Sequence, residues 1–173
     1  MKKTAFILGL ISVIAWNGCS KHQHHDETGE RREETTENVI AFKDRQLDVA
    51  YNSYIQLKDA LVEASEKAAQ QAAADLVDAL EGVEDSERAL GSARKIESAA
   101  HLADQRKAFK ALSDEMLILV KNNKPESGQV YLVHCPMADD NKGGSWLSSL
   151  NEVRNPYYGD AMLTCGSVKE TID

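Results

Sequence analysis

The sequence predicts a mainly α protein, an antiparallel bundle of about four helices with a small irregular and β C-terminal segment. Three observations lead there. From Val39 to Asn123 there is no proline, and glycine occurs only at Gly82 and Gly91. The same stretch is dominated by Ala, Glu, Lys, Leu and Gln, all good helix formers, and its apolar residues recur in steps of three and four. After Pro125 the composition changes to β-type residues, glycine, asparagine and aromatics, and the helical period is lost.

The first helix shows one stripe, Leu47, Ala50, Tyr54, Leu57, Leu61 and Ala64. Ser65 either caps a new helix or lies within a continuing one. A second stripe follows, Ala69, Ala72, Leu76, Ala79 and Val83, whose small side chains allow close approach of a neighbouring helix. Gly82 and the polar run Glu84-Asp85-Ser86 interrupt the pattern. A third helix starting near Ser86 shows Leu90, Ala93, Ile96 and Ala100. Asp104 has the character of an N-cap for a fourth, which shows Phe109, Leu112, Met116, Leu119 and Val120 and stops at Asn122-Asn123-Lys124-Pro125. Tyr51, Tyr54 and Met116 read as core side chains, and His101 as a boundary residue. Arg106 is expected to pair with a carboxylate on another helix.

The N-terminus has a different character. Lys2 and Lys3 precede an apolar run from Ala5 to Trp16, then Asn17-Gly18-Cys19-Ser20. A basic start, a short apolar core and a small residue before the cut make a secretory signal, and the run is too short for a permanent bilayer span. A cysteine after a small residue resembles the bacterial lipobox, with Trp16 where an aliphatic residue is usual. The resemblance implies that residues 1–18 are a lipoprotein signal peptide and that Cys19 carries the lipid. It also implies a protein anchored in the cell envelope, in the outer membrane facing the periplasm.

Residues 19–37 read as a flexible tether, because 20–37 contain no large apolar residue and cannot offset the entropy of ordering. His22, His24 and His25 stand there beside Asp26 and Glu27. Imidazoles ligate copper, zinc or nickel, so weak metal collection and a plain solvated spacer are both open. Residues 38–173 form the single folded domain. The formal charge is −8, and loss of Lys2 and Lys3 with the leader takes it to −10. A chain this acidic, with no basic stripe, does not fit nucleic-acid binding. No H-E-x-x-H, G-x-S-x-G or phosphate-cradling glycine loop occurs, and no enzyme activity is expected.

The segment 130–168 carries the chemistry. A β-type run, Gln129–His134, follows a turn at Pro125–Gly128 and leads into Cys135-Pro136-Met137. Trp146 is expected to bury its ring and anchor the segment. Pro156 and Gly159 mark a turn, Asp160–Leu163 one helical turn, and the chain after Val168 a frayed end. Met162 and Cys165 would lie on adjoining faces. Thiolates and thioethers are soft donors that select Cu(I) over Mg, Ca or Mn, so Cys135, Met137, Met162 and Cys165 are the candidate ligands of a soft metal. His134, next to Cys135 in a strand, would point to the opposite face. The alternative is a Cys135–Cys165 disulfide in an oxidising compartment, worth about 3.5 kcal/mol by chain entropy, with no metal bound. The two readings stand side by side, and an oxidised form reduced before loading would join them.

The pattern Y-x-x-x-C-P-M-A (Tyr131 to Ala138), W-L-S (Trp146 to Ser148) and N-P-Y-Y-G-x-x-M-L-x-C-G (Asn155 to Gly166) resembles a bacterial family known only as a domain of unknown function. The resemblance extends back through R-x-x-F-x-x-L-S (Arg106, Phe109, Leu112, Ser113) to Tyr54–Leu61. That family occurs as exported lipoproteins and fused to periplasmic adaptor subunits of heavy-metal efflux pumps. The C-P-M element is also similar to the C-P-M-H motif of small heavy-metal-binding domains, with Ala138 replacing the histidine. The resemblance implies copper or another soft metal as cargo and an efflux system or other envelope protein as partner. A metal-free interaction module, with the Tyr157–Cys165 loop and Trp146 as docking surface, is the other reading.

Overall fold

The computed structural model describes residues 38–173. Four helices come first, α1 (Arg45–Val62), α2 (Glu66–Leu80), α3 (Glu87–Ser98) and α4 (Leu102–Asn122). Three strands follow, β1 (Val130–Cys135), β2 (Gly144–Ser148) and β3 (Ser167–Ile172). Each helix packs on the next, as short connections between antiparallel neighbours require. The mainly α bundle with a small C-terminal β segment is the architecture the sequence predicts.

The helix ends show where local chemistry decides and where it does not. Asp44 caps α1 by accepting a hydrogen bond from the Gln46 amide at 2.8 Å. At the other end Ala64 takes a left-handed conformation, φ 55°, and the Ser65 amide returns to the Ala60 carbonyl. Ser65 then caps α2 through the Ala68 amide. The first two stripes are therefore separate helices, and Ala64 is exposed rather than part of the apolar face. Ala100 is likewise exposed beyond the end of α3.

Two caps differ from the local expectation. Ser86 precedes α3, but its hydroxyl donates back to the Leu80 carbonyl at 2.7 Å and closes the end of α2 instead. Asp104 is not the N-cap of α4. The helix begins at Leu102, with His101 in the cap position, and Asp104 lies in the first turn. The Leu102 amide is satisfied by the Glu66 carboxylate at 2.9 Å, a capping group brought from the start of α2. An acidic residue in the first turn still complements the helix dipole.

The core runs from the bundle into the sheet. Tyr54, fully buried, stacks on Phe109 with ring centroids 5.4 Å apart. Its hydroxyl bonds to the Ser113 hydroxyl at 2.7 Å and accepts the Leu147 amide at 3.1 Å, so one phenol joins α1, α4 and β2. Tyr51 is buried and meets the Ser149 hydroxyl at 3.1 Å. Met116 is fully buried packing. Asn38 ties the start of the domain to the sheet, donating to the Gln129 and Ser149 carbonyls and accepting the Gln129 amide.

The sheet has the order β2-β1-β3, with both pairs antiparallel. β2 lies against α4. A bulge between Leu132 and Val133 shifts the alternation, so that Val130, Val133 and Cys135 are the buried residues of β1. The end after Val168 is not frayed. Ser167–Ile172 pairs with β1, held from α4 by Lys121 to Glu170 at 2.7 Å and from the turn after α4 by Lys124 to the Asp173 carbonyl at 3.1 Å. Trp146 anchors its segment as expected, 1% exposed, but as the centre of strand β2 opposite Val133.

Candidate functional site

The sheet brings the two sulfurs of the C-terminal segment together. Cys135 is the last residue of β1, fully buried, opposite Gly144 of β2. Cys165 stands two residues before β3 and is half-buried. Their Sγ atoms are 3.2 Å apart, and both are free thiols. Sulfurs of a disulfide are about 2.0 Å apart. Two thiolates on one tetrahedral ion, with metal–sulfur bonds of about 2.3 Å, are about 3.8 Å apart. The observed separation lies between the two, so a shift of about half an ångström or slightly more than one reaches either product.

Three features hold Cys165 in place. Gly166 has φ +140°, and a Cβ there would lie 2.9 Å from the His134 carbonyl oxygen and 3.2 Å from the Trp146 ring. The glycine lets the chain cross tightly over the end of β1. Cys165 donates its amide to the Met162 carbonyl at 3.0 Å, closing the turn that follows the 3-10 segment Gly159–Met162. Asn155, fully buried, donates its side-chain amide to the Cys165 carbonyl at 2.9 Å. The same residue accepts the Tyr157 amide through its side chain, while its backbone bonds to the Leu163 carbonyl and the Gly159 amide. Asn155 is the organising residue of the loop. An asparagine before proline signals a turn, and that was the only hint of its role in the sequence.

The electrostatics follow from the contact. The Cys165 thiol is pushed above its ordinary value, first by its hydrogen bond to Cys135, then by desolvation and by repulsion from the Cys135 charge. The contact with Cys135 therefore disfavours ionisation of Cys165. Such a pair can lose two protons and two electrons to an oxidant and close a disulfide, or lose protons to a metal ion.

The other candidate residues have the following surroundings. The Met137 side chain is 42% exposed, and its carbonyl accepts the Tyr158 hydroxyl. Met162 is half-buried. Neither methionine belongs to the hydrophobic core. His134 bonds through Nδ1 to the Ser145 hydroxyl at 3.0 Å rather than joining the thiols. Pro156 and Gly159 are buried in the loop. Gly159, φ +57°, packs where a Cβ would fall 2.6 Å from the Val62 carbonyl and 2.9 Å from Arg106 Nη2. Among the described residues no three His, Cys, Asp or Glu side chains converge. Cys19, His22, His24 and His25 lie outside the described residues.

The turn after Met137 was not foreseen. Asp139, Asp140 and Asn141 are all left-handed, with φ 49°, 54° and 64°. Each such residue costs about 1–2 kcal/mol relative to the right-handed form, and Asp and Asn tolerate it best. The D-D-N triplet suits this backbone.

No curated protein and no solved structure matches the chain. The Cys/Met segment lies beyond the part that a family describes. Residues 50–128, from within α1 to the turn before β1, match the family described as "Protein of unknown function (DUF3347)".

Proposed function

We propose that this chain binds a soft metal ion, Cu(I) above all, as cargo at Cys135 and Cys165, for efflux, transfer or sequestration. The observation that supports it is the 3.2 Å separation of two free thiols drawn from opposite ends of the segment. The donor chemistry fits. Two thiolates and two thioethers suit a monovalent soft ion better than a hard one. Met137 and Met162 stand two and three residues from the cysteines and would complete the set. In this reading the protein is a lipoprotein tethered through Cys19 in the cell envelope and facing the periplasm. His22, His24 and His25 would collect metal weakly, and an efflux system would be the partner, in keeping with the company of the family that the sequence resembles. No enzyme activity is proposed.

The complete burial of Cys135 favours a second reading, a structural Cys135–Cys165 disulfide in a metal-free interaction module. One experiment separates them. Fully reduced protein is titrated with Cu(I) against a competing chelator, following Trp146 fluorescence, beside a thiol count on protein as isolated. Tight one-to-one uptake, lost in Cys135→Ser and weakened in Met162→Leu, establishes the metal reading. No uptake after full reduction, with both thiols oxidised as isolated, overturns it in favour of the disulfide.

A further inference from the structure

Arg106 does not do what an arginine on an acidic bundle is expected to do. It pairs with no carboxylate within 4.0 Å among the described residues. Its Nη2 instead donates to the Leu61 carbonyl at 2.9 Å, near the C-terminal end of α1. Its Nε is shielded from solvent and has no hydrogen-bond partner. Gly159 closes over the guanidinium so tightly that any side chain there would collide with it. The charge is held, partly desolvated and uncompensated, and desolvation lowers its affinity for its own proton.

This guanidinium lies in the wall of a cavity of about 520 Å³. The volume is in the range of small-molecule sites, about 300–1,000 Å³. α4 contributes Arg106, Lys107 and Lys110, the left-handed turn contributes Lys142 with Asp139 and Asp140, and Tyr157 and Tyr158 line it as well. Four cations and two carboxylates give the wall a formal +2, on a chain whose net charge is −8. Lys110 reaches Asp114 only at 3.5 Å and Lys142 reaches Asp139 only at 4.0 Å. Lys107 has no acidic partner within 4.0 Å among the described residues. A positive concavity on an acidic surface is a local inversion of the field, and it concentrates anions where the rest of the surface repels them.

We propose that this cavity is a binding site for a small oxyanion, a phosphate or carboxylate compound, with Arg106 as its central counter-charge. With Nη2 bonded to Leu61 and Nε shielded from solvent, the remaining guanidinium N–H groups are the donors for such an anion. Lys107 and Lys142 approach from the two walls, α4 and the 138–142 turn, and close the charge balance. The site is separate from the thiol pair, and neither depends on the other for its ligand.

Calorimetric titration of the full chain at low ionic strength with inorganic phosphate, and separately with succinate, tests the proposal. Saturable one-to-one binding of at least one of them is expected, weakened about tenfold in the double variant Lys107→Gln/Lys142→Gln. It should be lost in Arg106→Gln and unchanged in Lys43→Gln, which lies beside Asn122 and Asn123 at the opposite end of α4 from the cavity. The double variant removes two side chains that make no hydrogen bond among the described residues, so it remains informative if Arg106→Gln does not fold. Saturation by phosphate alone assigns a tetrahedral ligand, and by succinate alone a planar one; either supports the site. Absence of saturation with both anions, or unchanged affinity in the double variant, overturns the proposal.

Discussion

Gly166 passes so close to His134 that a Cβ on it would fall 2.9 Å from the His134 carbonyl oxygen. That approach, not the spacing of the cysteines in sequence, sets the distance between the two sulfurs. The backbone there has φ +140°, which only glycine adopts at low cost. Gly166→Ala should therefore destabilise the fold by about 1–3 kcal/mol and move Cys165 away from Cys135. Denaturant unfolding reads the first effect, and the rate at which a mild oxidant removes the two thiols reads the second. An alanine variant that unfolds and oxidises like the parent would show that the crossing does not need glycine.

The contact between the two sulfurs makes a pH prediction. Cys165 is raised, chiefly by its hydrogen bond to Cys135. Its thiolate fraction should therefore lag that of an ordinary cysteine as pH rises, and alkylation of Cys165 should reach its midpoint at higher pH than in a model thiol. Cys135→Ser removes the repelling charge and should move that midpoint down. The stability effect has the matching sign. Folding favours the protonated form, so the contribution is complete below the unfolded-chain value, about 8.5, and is lost as pH rises through the folded value. A Cys165 midpoint at or below the model thiol would contradict a hydrogen bond between the two thiols.

The helices were legible because their information is local and periodic. Leu47, Tyr54, Leu57 and Leu61 recur in helical steps of three, four and seven, and every one of them is fully buried. Trp146 was legible as a buried anchor for its size alone. The strands that flank β1 were not. β2 is five residues long and β3 six, and β3 exposes four of its six positions. Partners far along the chain hold them, and no short-window pattern records that. The same limit explains α4. Its amide cap comes from Glu66, 36 residues earlier, so Asp104 looked like the start of a helix that begins at Leu102. The candidate site divides the same way. Its two cysteines stood out by residue type, whereas their contact depends on Asn155 and Gly166, which act through backbone carbonyls at Cys165 and His134.

The phenol of Tyr54 is the polar joint between bundle and sheet. Tyr54→Phe removes its bond to Ser113 and leaves the buried Leu147 amide without an acceptor. An orphaned buried donor costs about 1–3 kcal/mol. Ser113→Ala removes only one bond and keeps the Leu147 amide satisfied, so it should cost about 1 kcal/mol. Combined, the two substitutions should cost less than the sum of the singles, because they share one hydrogen bond. Equal effects of the single variants would mean that the Leu147 bond contributes nothing.

Ala64 lies at the turn from α1 to α2 with φ 55°, a conformation in which its Cβ crowds the following carbonyl. The position is exposed, and no packing depends on its methyl group. Helices commonly end on glycine at this position because glycine has no Cβ to crowd. Ala64→Gly relieves the crowding, about 1–2 kcal/mol. It also gives the unfolded chain more freedom to lose, which opposes the gain by about 0.4–1 kcal/mol. The relief is the larger of the two, so the variant should be more stable by up to about 1 kcal/mol. The denaturation midpoint should rise with an unchanged slope, since the surface exposed on unfolding is the same. A lower midpoint would mean that chain entropy outweighs the strain at this turn. Ser65, which caps α2 from the next position, supplies the comparison, because Ser65→Ala should lower the midpoint through loss of the Ala68 bond.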